Sequence, residues 1–192
     1  MILLKTLFTR RFLAFQRGKV TSLGVALFAL FWAATGYSST EAPSQVPFGD
    51  KMGAEVLNYN RLRPQLATGG SIDLAQVESL KNKGFKTIVD LRTPEEGTVE
   101  EQTAVEAAGM VYVNLPVSKG APSDQLIAQL GKILENADAA PVLLHCASGN
   151  RVGAVWAIYR ARQGIPLEIA IEEGRTAGMR ASREEQVRAL LQ

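Results

Sequence analysis

Cysteine and histidine are almost missing from this chain: it has one of each, Cys146 and His145, and they stand side by side. A lone thiol has no intramolecular partner, so structural disulfides are excluded by count. The same scarcity excludes a zinc site built from His and Cys, which takes several such ligands. An excess of charge of one sign is also missing. The 21 basic and 19 acidic residues leave a net charge of only +2, and five of the cations (Lys5, Arg10, Arg11, Arg17 and Lys19) precede the first acid, Glu41. Without those five the remainder is mildly acidic, so no basic face is available for nucleic acid. No internal repeat or low-complexity tract is visible, which leaves an ordinary globular composition.

What is present falls into three parts. Residues 1–38 begin with the basic cluster, continue through an apolar run from Val20 to Ala34, and end in small residues at Ala34-Thr35-Gly36 and Gly36-Tyr37-Ser38. That order reads as a signal peptide for export, to the periplasm or beyond. The alternative is an uncleaved N-terminal membrane anchor. Residues 39–55, with Pro43, Pro47 and Gly49, read as a linker. Residues 56–192 read as one domain with a core of its own.

Within that domain short apolar runs alternate with helical patterns. Strands are expected at Gln65–Thr68, Phe85–Leu91, Met110–Val117 and Val142–Leu144. Ser71 is expected to cap a helix whose apolar face carries Leu74, Val77 and Leu80. Thr93-Pro94-Glu95-Glu96 has the form of a capping box with proline at the first helical position. Ser123 caps a helix bearing Leu126, Ile127, Leu130, Ile133 and Leu134. The helix from about Val152 is apolar on every side, which places it at the centre of the fold. Two further helices follow, the last with Ser182 and Glu185 as its cap. Such alternation predicts an α/β fold: a central, mainly parallel sheet of four to five strands with helices on both faces.

The densest chemistry lies between Pro141 and Gly153. A buried strand ends at His145-Cys146, a tight loop follows, and a helix begins, at the strand edge where such sheets place ligands. Gly149 allows backbone angles that other residues avoid. A loop closing onto a helix N-terminus gathers N–H groups into an anion site, here Ala147, Ser148, Gly149, Asn150 and Arg151. The Arg151 guanidinium is a planar fork suited to a tetrahedral oxyanion. A cation so placed favours the thiolate form of Cys146, the nucleophilic form.

The motif His145-Cys146-x-x-Gly149-x-Arg151 resembles the signature of cysteine-dependent phosphatases of the protein tyrosine and dual-specificity type. The upstream runs Leu66-Ala-Thr-Gly-Gly and Thr87-Ile-Val-Asp-Leu-Arg-Thr-Pro-Glu-Glu-Gly97 are similar to one bacterial branch. That branch is the phosphatase-like domain found beside β-lactamase-like hydrolases, with relatives fused to NAD kinases. The likeness extends from about Val56 to the C-terminus. It implies a protein tyrosine phosphatase-like fold and hydrolysis of a phosphorylated small molecule or protein through a phosphocysteine on Cys146. It also implies that Arg151 grips the phosphoryl oxygens, that His145 orients the loop, and that neither cofactor nor metal takes part. Membrane contact is expected only through an uncleaved N-terminal segment.

Related enzymes carry an acidic proton donor after the third strand. Asp124 is the only carboxylate in that stretch, and Asp90, at the end of a strand, is the second candidate. Two departures keep alternatives open. Four residues separate Cys146 from Arg151 where the phosphatases have five, which is the spacing of rhodanese-like sulfurtransferases holding a persulfide. Val152 stands where the relatives have a hydroxyl residue, which also suits a phosphate-binding module without turnover.

Overall fold

The computed structural model describes residues 45–53, 55–118 and 120–192. The expected export or anchor segment and residues 39–44 lie outside them. Five strands form one sheet: β1 (Asn60–Arg63), β2 (Leu66–Gly69), β3 (Thr87–Asp90), β4 (Val111–Asn114) and β5 (Val142–His145). Their order is β1-β2-β5-β3-β4, with β1 antiparallel at one edge and the other four parallel. This is the mainly parallel α/β sheet expected. β2, β3 and β5 are buried along their whole length, which explains why they read as short continuous apolar runs rather than alternating ones. β1, by contrast, is half-exposed and rich in arginine. It has no apolar run to announce it and was not expected.

Six helices flank the sheet: α1 (Val77–Asn82), α2 (Thr98–Ala107), α3 (Asp124–Glu135), α4 (Asn150–Arg162), α5 (Leu167–Thr176) and α6 (Ala181–Leu191). Side chains alternate along β5, as strand geometry requires. Leu143 packs with Val77, Leu80 and Val105 of α1 and α2, while Val142 and Leu144 pack with α3 to α6. Helices therefore cover both faces.

Two local expectations are corrected. Residues 45–53 do not behave as a free linker, because Val46 and Met52 are buried in the core on the α1–α2 side. The Val46 N–H donates to the Pro64 carbonyl at 2.8 Å, and Tyr59 Oη donates to the Pro47 carbonyl at 2.7 Å. Ser123 caps α3 as expected, accepting from the Leu126 N–H at 3.2 Å, but the other two serine caps shift. Asp73, not Ser71, accepts from the Ala75 N–H, and Ser182 lies inside α6, whose N-cap position is Arg180.

α4 is buried at every position from Val152 to Tyr159, in keeping with its all-round apolar sequence. It comes unusually close to α5 and the chain after it. A Cβ on Gly153 would lie 2.2 Å from the Met179 nitrogen and 2.3 Å from the Gly174 oxygen, both backbone atoms. Backbone cannot move aside as a flexible side chain can. Gly153→Ala is therefore expected to cost about 3 kcal/mol or more. Thermal denaturation should show this as a fall in Tm of roughly 6 °C or more for a chain of this size. An unchanged Tm would contradict the tight crossing.

Candidate active site

The loop after β5 is fastened on one side by its carbonyls. The Ala147 carbonyl accepts from the Ser71 N–H at 3.1 Å, and the Ser148 carbonyl accepts from Asn58 Nδ2 at 3.2 Å. The Cys146 N–H donates to the Gly69 carbonyl at 3.3 Å. Gly149 then turns the chain at φ +89°, a conformation that L side chains rarely adopt. Its N–H donates to Cys146 Sγ at 3.2 Å, and its carbonyl accepts from the Gly153 N–H at 3.0 Å, opening α4. The N–H groups of Ala147, Ser148, Asn150 and Arg151 find no backbone acceptor among the described residues. With the carbonyls engaged outward, these donors are left available to an anion, the cradle that a loop closing onto a helix N-terminus provides. On its far side the Asn150 side chain accepts from the Arg180 N–H at 2.8 Å, tying the cradle to the turn before α6.

Arg151 is held from behind. Its Nη2 donates to Glu96 Oε1 at 2.6 Å, and its Nη1 donates to Glu96 Oε2 at 2.7 Å and to the Val117 carbonyl at 3.1 Å. Those bonds use one edge of the guanidinium. The Nε–H and the second Nη2–H form the edge available to an oxyanion, a two-point grip. Glu96's hydrogen bonds, against some desolvation and helped by nearby Cys146, hold Arg151 above its ordinary pKa. The converse acts on Glu96. Arg151 pulls its carboxyl down to about 2, against a smaller opposing push from burial.

Glu96 is also the far end of the expected capping box, accepting from the Thr93 N–H at 2.9 Å. The box closes a single 3₁₀ turn, Pro94–Glu96, and α2 starts only after Gly97. One carboxylate thus caps a turn and braces the arginine.

Beneath the loop lies a sealed polar cluster. Pairing of Asp90 with His145 across β3 and β5 puts both at one level of the sheet, and α2 brings Glu101 to meet them. His145 Nε2 stands 2.8 Å from Glu101 Oε1 and 3.6 Å from Asp90 Oδ1, with all three side chains almost fully buried. The shorter approach is not aligned as a hydrogen bond. Arg92 ties the group together, donating to both oxygens of Asp90 and to Glu101 Oε2 at 2.7 Å. Tyr112 Oη adds a bond to Asp90 at 2.8 Å.

Asp90, Glu101 and His145 are close enough to share a metal ion, a combination that counting His and Cys alone could not reveal. They do not fit one, because the Arg92 guanidinium already supplies the cation that the two carboxylates need.

The structure brings Cys146, Arg151 and the loop N–H groups together and puts His145 below them, but it separates both expected proton donors from the cradle. Burial alone would raise Asp90. The bonds from Arg92, with His145 and Tyr112 behind them, outweigh it and hold the carboxyl below its usual range. It is sealed, ionised and fully occupied. Asp124 fails by position. The stretch from Leu115 to Ser123 runs alongside α4: the Val117 carbonyl meets Arg151, Pro122 shares a cleft with Ala154 and Ile158, and Asp124 pairs with Arg162. Ten residues of helix lie between Arg151 and Arg162, a rise of about 16 Å.

Glu96, Glu101, Arg92 and Asn58 were not expected at the site. Neither was Arg183 of α6, which donates to the Ser118 and Gly120 carbonyls on the rim at 3.1 and 3.2 Å. The family-like run Thr87–Gly97 took in Arg92 and Glu96 without giving either a role at the site, and the capping box gave Glu96 a different partner.

The geometry agrees with comparisons to known proteins. A β-lactamase hydrolase-like protein of Agrobacterium fabrum is 31% identical over 124 residues, covering 62% of this chain and 28% of the relative. The protein named Probable NAD kinase 2, chloroplastic, of Oryza sativa subsp. japonica is 36% identical over 88 residues, covering 42% of this chain and 9% of the relative. The chain thus spans less than a third of either. Among solved structures, a variant of Pseudomonas aeruginosa TpbA in complex with pTyr superposes with a TM-score of 0.57 at 22% identity, covering 78% of this chain and 90% of that one. The family model described as "Beta-lactamase hydrolase-like protein, phosphatase-like domain" matches residues 58–163, from the asparagine that steadies the loop to the end of the helix the loop opens. With strand, cradle and arginine all inside that match, the chain belongs to the family of phosphatase-like domains of β-lactamase hydrolase-like proteins.

Proposed function

We propose that the chain is a cysteine-dependent phosphatase that hydrolyses phosphomonoesters through a phosphocysteine on Cys146. The observation that carries this reading is the sulfur itself. Cys146 Sγ accepts the Gly149 N–H at 3.2 Å, in a loop whose other N–H groups have no backbone acceptor among the described residues and whose Arg151 side chain lies beside the sulfur. The sulfur attacks phosphorus while these donors hold the equatorial oxygens, and stabilising that charge is usually the largest catalytic effect. Water then attacks the phosphocysteine, releasing phosphate and the thiolate. His145 contributes by supporting the loop from below, since Glu101 and Asp90 engage it on the side away from the cradle.

The four-residue spacing does not favour sulfur transfer once its setting is considered. Gly149 turns the chain at positive φ, and the family match runs straight through the loop. The test is a pair of assays on the purified chain. An aryl phosphate should release phosphate slowly, with inhibition by vanadate. Thiosulfate with cyanide should yield no thiocyanate above background. Robust thiocyanate formation without phosphate release would replace this reading with the sulfurtransferase one.

A further inference from the structure

We infer that the site acts on phosphoryl groups carried by acidic leaving oxygens, such as anhydrides, acyl phosphates and activated aryl esters, in preference to alkyl phosphates and phosphotyrosine. The inference rests on the phosphatase reading and specifies its substrate chemistry. When Cys146 Sγ bonds to phosphorus, the P–O bond to the leaving group breaks, and its electron pair stays on the departing oxygen. Either a positioned acid protonates that oxygen as it leaves, or it departs as an oxyanion and takes a proton from water afterwards.

The carboxyl groups around the cradle are each committed elsewhere. Both oxygens of Asp90 are bonded to Arg92, beneath the loop and out of solvent. Glu101 faces His145 and Arg92 in the same sealed cluster. Asp124 pairs with Arg162 at the far end of α4. Glu96, the carboxylate paired with Arg151 among the described residues, gives both oxygens to that arginine and a further bond to Thr93. It stays ionised throughout the neutral range, held near 2.

The rim stretch that would carry a donor, residues 118–123, has no carboxylate in its sequence. Its carbonyls at Ser118 and Gly120 are occupied by Arg183. None of these four carboxyl groups is placed to protonate a leaving oxygen.

The consequence is set by leaving-group acidity. A phosphate released from an anhydride has a second pKa of about 6, so it leaves as an anion near neutrality. A tyrosine-like phenol, at about 10, does not. A positioned proton donor is worth about 10²–10⁴-fold, and that factor should appear as the gap between good and poor leaving groups.

The experiment measures kcat/KM, which reports the P–O cleavage step, for a set of probes on the full chain. The probes are 4-nitrophenyl phosphate, phenyl phosphate, phosphotyrosine, glycerol 2-phosphate, acetyl phosphate and ADP. Phenyl phosphate and phosphotyrosine are expected at least about 10²-fold below 4-nitrophenyl phosphate, with glycerol 2-phosphate lower still. Acetyl phosphate and ADP separate the acyl from the anhydride source, and turnover of at least one of them at the nitrophenyl rate is expected. Rates for phenyl or alkyl phosphates within about tenfold of the nitrophenyl ester would reveal a working proton donor and overturn the inference while leaving the phosphatase reading intact. So would acetyl phosphate and ADP both staying below phenyl phosphate. No phosphate release from any probe would overturn the phosphatase reading itself.

Discussion

Cys146→Ser is expected to abolish phosphate release while leaving the fold unchanged. In the proposed reaction the sulfur is the attacking atom, with the Gly149 N–H bonded to it and Arg151 beside it. A serine hydroxyl keeps its proton at neutral pH and needs a base to remove it. None stands ready, since His145 lies beneath the loop against Glu101, and Glu96 is taken by Arg151. Loss of an activated nucleophile that acts as part of a unit typically costs more than about 10⁴-fold in kcat. The variant should melt within a degree or two of the parent, because serine fills nearly the same space, and it should still bind inorganic phosphate by calorimetry. Unchanged turnover would remove the covalent mechanism.

Arg151→Lys is the second large effect. Lysine keeps the charge but is a point donor. It cannot hold Glu96 with two bonds, meet the Val117 carbonyl and still offer a two-pronged edge to an oxyanion. A loss of about 10²–10³-fold in kcat is expected, the range found when one charge-stabilising donor is removed, along with weaker phosphate binding. A second signature follows from Glu96. In the parent its carboxyl is depressed by Arg151 from 4.5 to about 2. A depressed folded-state pKa contributes stability that is present above pH 4.5 and lost as pH falls toward 2. Weakening the clamp moves that pKa back toward its ordinary value. The stability gap between parent and variant should therefore be widest above pH 4.5 and close on acidification, read as Tm against pH. A gap independent of pH, with parent-like turnover, would make Arg151 an ordinary cation near a helix start.

Most of the framework was legible because it depends on local pattern. β3 and β5 are short β-branched or leucine runs that a buried parallel strand requires, and α4 declares its central place by being apolar on all sides. The loop was legible for the same reason, since nucleophile, glycine and arginine fall within six consecutive residues, Cys146 to Arg151. What escaped depends on pairing over distance. Glu96 and Arg151 are 55 positions apart, and the capping box offered a sufficient local reason for the glutamate. Glu101 reads as one more acid in a polar helix until α2 turns it onto His145. Asp124 misled for the opposite reason. It stands where a loop of ordinary length would place it near the cradle, but the chain from Leu115 to Ser123 travels down α4 before the next helix begins. Sequence distance from a strand end does not say which way the connection runs.

The two rim fastenings from the chain's last quarter bear on what counts as a module. Arg183 secures the Ser118–Gly120 segment, the Arg180 N–H secures Asn150, and Gly153 admits the backbone around Gly174 and Met179. All of these partners lie past residue 163, where the family match stops. The family match and the packed unit therefore have different borders. An excised piece ending at residue 163 would keep every residue of the signature and lose the scaffolding that keeps two sides of the cradle in place. It would also lay bare the faces of α4 that α5 and α6 now shield. Grafting or recombining this domain along its homology boundary transplants the chemistry without its support, and relatives whose chains continue differently after that point must brace the same loop by other means.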